Sequence, residues 1–217
     1  DDYCHRLVAV AEESSADSVV VSMKTIGSAG FQQSAAVAQN SRLGNGGAAH
    51  RNDTHGRWVD HGHHALMRLS SFRAVGGYDE TFSHNEDAEL DIRLVKSGYR
   101  IWLTDATSLS YYPRATPKAL FRQYYYFGKG RARTLLKHHL VPRPRQLPPF
   151  MVLPAAVLAL SAPLSVRAVP FLLWATLCLA FSLYQKDLGA GLAVGIMHMA
   201  WSMGFWSECV TDFVVAL

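Results

Sequence analysis

No aspartate or glutamate occurs between Asp105 and Asp187, and only three of the 17 acids lie beyond Thr107. The same stretch carries an unbroken block of cations, from Arg114, Lys118 and Arg122 through Lys129, Arg131, Arg133 and Lys137 to Arg143 and Arg145. From Phe150 onward the chain is overwhelmingly apolar. A chain built this way cannot fold as one evenly patterned globule. Its averages, 49% hydrophobic and 18% charged residues among 217, conceal an acid-bearing first half and an apolar last third. The net charge of +4 comes from the block between them.

Three apolar segments follow that block, at about 149–166, 168–184 and 188–206, separated by Arg167 and by Gln185-Lys186-Asp187. Each approaches the roughly 20 residues that a helix needs to cross a bilayer. The rival reading, a buried hairpin of a soluble protein, asks a small polar-patterned domain to cover more apolar surface than it can. Cations directly before such segments predict a cytoplasmic globular part by the positive-inside rule and contact with anionic headgroups. The apolar segments weigh against the nucleic-acid reading of the same cations. Cys4, Cys178 and Cys209 are too scattered for a disulfide framework or a zinc pattern.

The first half alternates helix and strand. Apolar positions Leu7, Val8, Val10 and Ala11 predict a helix over Tyr3 to Ala16, and Asp17 to Thr25 predicts a buried strand around Val19-Val20-Val21. Helix followed by strand argues for an α/β fold with a mainly parallel sheet. A short helix is expected near 31–42, then a flexible Gly/Asn-rich loop, then a strand within Trp58 to Leu69. Asn85 reads as an N-cap, with Glu86, Asp87 and Glu89 in the first turn and Gly98 as the C′ residue. Tyr99 to Leu103 reads as a strand, and Thr116-Pro117 opens a further helix that Pro142 to Pro149 end.

Four features offer chemistry. Carboxylates Glu86 and Asp87 begin a helix just after the Gly76-Gly77-Tyr78-Asp79-Glu80 turn, so one of them can take a proton from a sugar hydroxyl; on helix logic alone the rival reading, that they only cap the helix, ranks first. The run Arg122 to Arg131, with Gln123, three tyrosines, Phe127 and Lys129, suits a ring stacked beside phosphates, or a helix lying at headgroup level. His61 and His63 share a face if extended, with His64, His50 and His55 nearby. No further ligands stand at a recognisable spacing, so a structural or acceptor-contacting role ranks ahead of metal binding and no metal ligand is assigned. Asp60, beside Trp58, is a site residue or a turn residue.

In order, Val59-Asp60, Phe72-x-x-Val75-Gly76-Gly77-Tyr78-Asp79-Glu80, Asn85-Glu86-Asp87-x-Glu89-Leu90-x-x-Arg93-Leu94 and Gly98-Tyr99-x-Ile101 form a series that resembles the second half of glycosyltransferase family 2. The likeness is to its succinoglycan-type exopolysaccharide glucosyltransferases. It implies the C-terminal part of a GT-A-like nucleotide-diphospho-sugar transferase domain followed by transmembrane helices. By position, Asp87 matches the general base, with Glu86 its neighbour, and Gly76 and Gly77 match the turn beneath the acceptor. Gln123 matches the first residue of a Q-x-x-R-W motif whose Arg and Trp are replaced here by Tyr126 and Phe127, which favours single-sugar transfer. Asp60 and His61 are expected to contact substrate, and Lys129 and Arg131 to supply charge to the diphosphate.

The resemblance thus implies a hexosyltransferase that moves glucose from UDP-glucose, with inversion, to a polyprenyl-diphosphate-linked saccharide in exopolysaccharide biosynthesis. The bacterial inner membrane is its expected location, with membrane lipid and no nucleic acid as further partners. The family's metal-binding D-x-D has no counterpart here, so Mg or Mn would be held mostly by residues outside the chain, and the chain alone, a fragment on this reading, is expected to be inactive. Three parts are expected: 1–113 as the acceptor-side half, 114–148 as a basic interfacial helix and Pro-rich linker, and 149–217 as a membrane region of about three helices. The alternative is a non-catalytic module that docks on anionic lipid.

Overall fold

The computed structural model describes residues 2–48, 55–161 and 166–215; His50 lies outside them. The chain divides into two compact units, Asp1–Lys24 with Gly47–Tyr111, and Thr25–Gly46 with Tyr112–Leu217.

The first unit is mixed α/β. Helix α1 (Tyr3–Ser14) precedes β1 (Ser18–Thr25), close to the expected bounds. After α2 (Gly30–Asn40) and the single turn α3 (Arg42–Asn45), which belong to the second unit, come β2 (Arg57–Val59) and β3 (His63–Met67). The strand expected within 58–69 is therefore two short strands. Helices α4 (Leu69–Ala74) and α5 (Glu86–Lys96) and the long strand β4 (Ile101–Tyr111) follow.

The sheet order is β2-β4-β1-β3. The mainly parallel sheet expected from helix–strand alternation is not found: both edge strands run antiparallel to their neighbours, β3 to β1 and β2 to β4, in a mixed sheet. Val19 and Val21 point to one face, where Leu7 and Ala16 complete a buried cluster. Val20 points to the other face with Ile101 and Leu103. Burial on both faces explains the unbroken Val-Val-Val run.

Helix α5 ends as its sequence predicts. The Tyr99 amide bonds the Leu94 carbonyl and the Gly98 amide that of Val95, a Schellman pattern with Gly98 at C′. Its start differs. Asn85 makes no side-chain cap hydrogen bond and instead adopts a left-handed backbone, φ 69°, which Asn tolerates better than most residues. The Asp87 carboxylate takes the Ala88 amide that a cap would have served.

The second unit is helical. Helix α6 (Pro117–His138) opens with the Thr116 hydroxyl accepting from the Ala119 amide. Then come α7 (Leu147–Ser161), α8 (Val169–Gln185) and α9 (Leu188–Val215). Helix α6 lies tightly on α9: a Cβ on Gly128 would run into the Trp201 carbonyl, and one on Gly204 into that of Tyr125. Among the described residues, two helical stretches, Val166–Gln185 and Leu188–Val214, are long and apolar enough to cross a membrane. Only 11% of the first is buried against protein, leaving Leu172, Leu173, Leu177 and Leu183 exposed, whereas 56% of the second is covered. Helix α7, at 15 residues with Pro154 inside, spans about 23 Å at 1.5 Å per residue, short of the roughly 30 Å hydrocarbon core.

Candidate active site

Strands β2 and β3 sit at opposite edges of the sheet, yet only Asp60, His61 and Gly62 separate them. That short segment must cross β4 and β1. Gly62 is buried where it passes Val20, and a Cβ there would collide with the valine side chain. Just beyond, Val19 pairs with Leu66 but Val21 with His63, so β3 holds one extra residue. A bulge absorbs it, and His64 takes a left-handed φ of 54°. Bulges re-aim side chains, and a non-glycine residue at positive φ is uncommon.

The crossing brings two histidines against two acids one turn apart on α5. His61 Nδ1 lies 2.7 Å from Asp91 Oδ2, and His63 Nδ1 lies 2.7 Å from Asp87 Oδ2. The Gly62 amide also donates to Asp91, at 3.2 Å. The imidazole rings meet edge to face, with centroids 4.8 Å apart. The two pairs differ in access. Asp91 is 2% exposed and His61 17%, whereas Asp87 and His63 are 34% and 31% exposed. The first pair is built into the core, and the second faces outward.

Electrostatics follow this split. Burial lowers the pKa of His61 and outweighs the hydrogen bond to Asp91, so its imidazole is neutral and donates from Nδ1. At Asp87 burial pushes the carboxyl up, but the hydrogen bond to His63, the pull of His63 and His61 once they are protonated and the Ala88 amide hold it well below the ordinary carboxylate range. Asp87 is thus firmly ionised. Tyr78, half exposed, has its phenol raised by burial and by the nearby charges of Asp87, Asp91 and Glu86.

The glycine turn is anchored to the same helix. Gly76 and Gly77 both have positive φ, 84° and 70°. A Cβ on Gly77 would stand 3.2 Å from the Phe72 ring, whose edge in turn meets Tyr78. Arg93 donates to the Val75 carbonyl while gripping Glu89 through Nε and Nη2. Glu89 is fully buried, so it clamps the turn to α5 rather than serving as a solvated first-turn acid.

His61, His63 and Asp87 each offer a ligand atom, all within 4.8 Å of one another. The Nδ1 atoms of both histidines are engaged by carboxylates, an arrangement that also orients metal-bound histidines through their other ring nitrogen. A nitrogen-rich set does not suit Mg, which takes oxygen ligands. The cluster as it stands is two hydrogen-bonded pairs.

Of the residues singled out in the sequence, Glu86, Asp87, His61, Gly76 and Gly77 belong to this assembly in the first unit, and Asp60 is exposed at the bend after β2. Gln123, Lys129 and Arg131 belong to α6 in the second unit, where Lys129 forms a 3.2 Å ion pair with Glu208 of α9. The role given to Asp91 and the partnership of His63 with Asp87 are not foreseen by the sequence reading. Their one signal is commensurate spacing: two residues apart on an extended segment, four apart on a helix.

One curated relative, succinoglycan biosynthesis protein ExoA of Rhizobium meliloti (strain 1021), is 54% identical over 222 aligned residues, covering 98% of this chain and 67% of its own length. No family profile matches the chain, and no solved structure matches it.

Proposed function

Because the chain belongs to the succinoglycan-type glycosyltransferases of family 2, we propose that its first unit forms the acceptor side of a sugar-transfer site in which Asp87 belongs to the base. The family's work is sugar transfer in exopolysaccharide synthesis. The finer reading is inverting transfer of glucose from UDP-glucose to a polyprenyl-diphosphate-linked saccharide by a GT-A-like domain. Its carrying observation is the Asp87 carboxylate, ionised by its neighbours yet one-third exposed at the start of α5.

In this reading the acceptor hydroxyl loses its proton to the site as its oxygen attacks the anomeric carbon, and the nucleoside diphosphate leaves from the opposite face. A base matched to that task contributes about 10²–10⁴-fold. Gly76 and Gly77, without side chains, leave the turn beneath the acceptor open, and Tyr78 offers a half-exposed ring for a sugar face. Lys129 and Arg131, with Gln123, are assigned to the charged side of the donor or acceptor. A divalent cation, Mg or Mn, would neutralise the leaving diphosphate and is assigned to residues outside this chain, so the chain alone is expected to be inactive.

The two apolar helices, preceded by the acid-free basic run, support an inner-membrane location with the first unit cytoplasmic. The test is Asp87→Asn in the full-length protein. Transfer of labelled glucose from UDP-glucose to membrane saccharide lipids should fall at least ~10²-fold while membrane insertion persists. Near-normal transfer by that variant would overturn the assignment of Asp87; the non-catalytic docking module instead predicts liposome binding that tracks anionic lipid, with no dependence on nucleotide sugar.

A further inference from the structure

Resting on the membrane location given above, we propose that the second unit is held in a single leaflet of the bilayer and that none of its helices crosses. Helices α7 and α8 lie in the membrane plane among the acyl chains of anionic lipid, and α6 faces the headgroups. Length alone lets α8 and α9 span a bilayer, but α9 does not travel alone. Helix α6 runs beside it for most of its course. Leu120 packs with Ala193, Val194 and Met197. A Cβ on Gly128 would meet the Trp201 carbonyl, one on Gly204 that of Tyr125, and Lys129 pairs with Glu208 at 3.2 Å. Leu135 then closes on Phe205, with Cys209 beside them. From Ala193 to Cys209 the shared path is about 24 Å at 1.5 Å per residue, most of the roughly 30 Å hydrocarbon core.

A crossing α9 would therefore carry α6 into the hydrocarbon, with Arg122, Lys129, Arg131 and Arg133 along its middle. The unit has nine lysines and arginines between Arg114 and Arg145 and only three acids, Asp187, Glu208 and Asp212, too few to neutralise them. Charge left over at the bilayer centre is costly, whatever local partners each side chain finds. The first half of α9 is tied to polar segments as well. Asp187 accepts from Ser34 Oγ at 2.8 Å, and His198 Nε2 lies 2.9 Å from the Leu43 carbonyl. Those bonds reach α2 and α3, which bring Gln39, Asn40 and Arg42 with them.

The apolar helices share this depth. On α9, Gly191, His198, Ser202 and Trp206 form one row at helical spacing, and Met197, Trp201, Gly204 and Glu208 form the next. Helix α6 takes the second row, and α7 and α8 take the first. The Trp174 indole donates to His198 and the Gly191 amide to the Ser182 hydroxyl, so α8 lies antiparallel along α9. In α7, Pro154 has no N–H for the Phe150 carbonyl. Ser202 and Trp206 of α9 supply donors instead, at 3.1 and 3.0 Å, which lets α7 sit in lipid with its backbone satisfied. Outward from this layer Val157, Leu160, Leu173, Leu177 and Leu183 are each more than half exposed. A helix about 10–12 Å across fits the roughly 15 Å of hydrocarbon in one leaflet. A basic helix on one row and apolar helices on the next give the unit the two-sidedness of an interfacial anchor.

The experiment places single cysteines in the full-length protein stripped of its own, at Leu160→Cys, Gln185→Cys and Asp212→Cys, all exposed positions. A membrane-impermeant maleimide is offered from the outer face, in spheroplasts, and from the inner face, in inside-out vesicles. Gln185→Cys and Asp212→Cys should label from the inner face, and none of the three from the outer. Every crossing arrangement of α7, α8 and α9 puts at least one of these positions outside. Outer-face labelling of any one, or failure of Gln185→Cys or Asp212→Cys to label from the inner face, overturns the single-leaflet arrangement and leaves the membrane location standing. Recovery of the protein in the soluble fraction removes the location and this inference together.

Discussion

In the first unit glycine stands where the backbone turns or is crossed, at Gly62, Gly76 and Gly77, and carboxylates are buried in its interior with partners. In the second, glycines such as Gly128, Gly191 and Gly204 stand inside helices where another backbone comes against them, and no acid occurs between Asp105 and Asp187. The difference is one of what specifies each structure. The first unit is held in register by charge and hydrogen bonding between segments far apart in sequence. The second has such bonds too, as from Ser34 to Asp187 and between His198 and the Leu43 carbonyl, but adds small residues that let helices approach, the means by which helices associate where burial of apolar surface gives little advantage.

Three substitutions probe that contrast, in descending order of effect. Glu89→Ala leaves Arg93 without its carboxylate beneath the glycine turn. Removing one partner of a buried pair costs about 3–5 kcal/mol, and denaturant unfolding should show that loss in the first unit's transition. A change under about 1 kcal/mol would mean that charge does not specify this unit. Gly128→Leu drives a side chain into the Trp201 backbone. It should cost about 1–3 kcal/mol and lower the thermal stability of the helical unit alone; if the first unit's transition moved equally, the two would not be independent in what holds them.

The smallest effect is on pH dependence. The pKa of His61 is lowered in the folded state, so the unfolded chain binds the extra proton more readily. The stability this neutral histidine contributes is full above about pH 6.5 and is lost as pH falls through its folded value. Asp87, also depressed, adds a second loss that begins below about pH 4. His61→Gln should therefore flatten the decline of the melting temperature as pH falls below about 6.5; an unchanged decline would place the titration elsewhere.

The contrast also explains what could be read in advance. Local rules located α1, β1, α5 with its Gly98 terminus, and the Thr116 cap of α6, because caps and periodicity act within a few residues. They failed where distant segments decide. The break at Asp60-His61-Gly62 depends on Val20, some 40 residues earlier. The burial of Glu89 depends on Arg93 meeting the Val75 carbonyl. Asn85 has the residue type of a cap, but the chain enters α5 from a left-handed conformation in which its side chain makes no cap hydrogen bond. The matches that marked Asp87 needed only its own neighbours in sequence, whereas its bond to His63 joins residues 24 apart.

The paired bonds of His61 to Asp91 and His63 to Asp87 can also be seen as two rulers laid side by side. Two residues of extended chain advance about 6.6 Å, and four residues of helix about 6.0 Å. Because the two lengths nearly agree, both bonds close at 2.7 Å together. The coincidence makes the assembly intolerant of counting errors. A single residue inserted between His61 and His63, or between Asp87 and Asp91, would leave every chemical group present and let only one bond close at a time. Length changes in this short stretch should therefore be far more damaging than changes of residue type nearby.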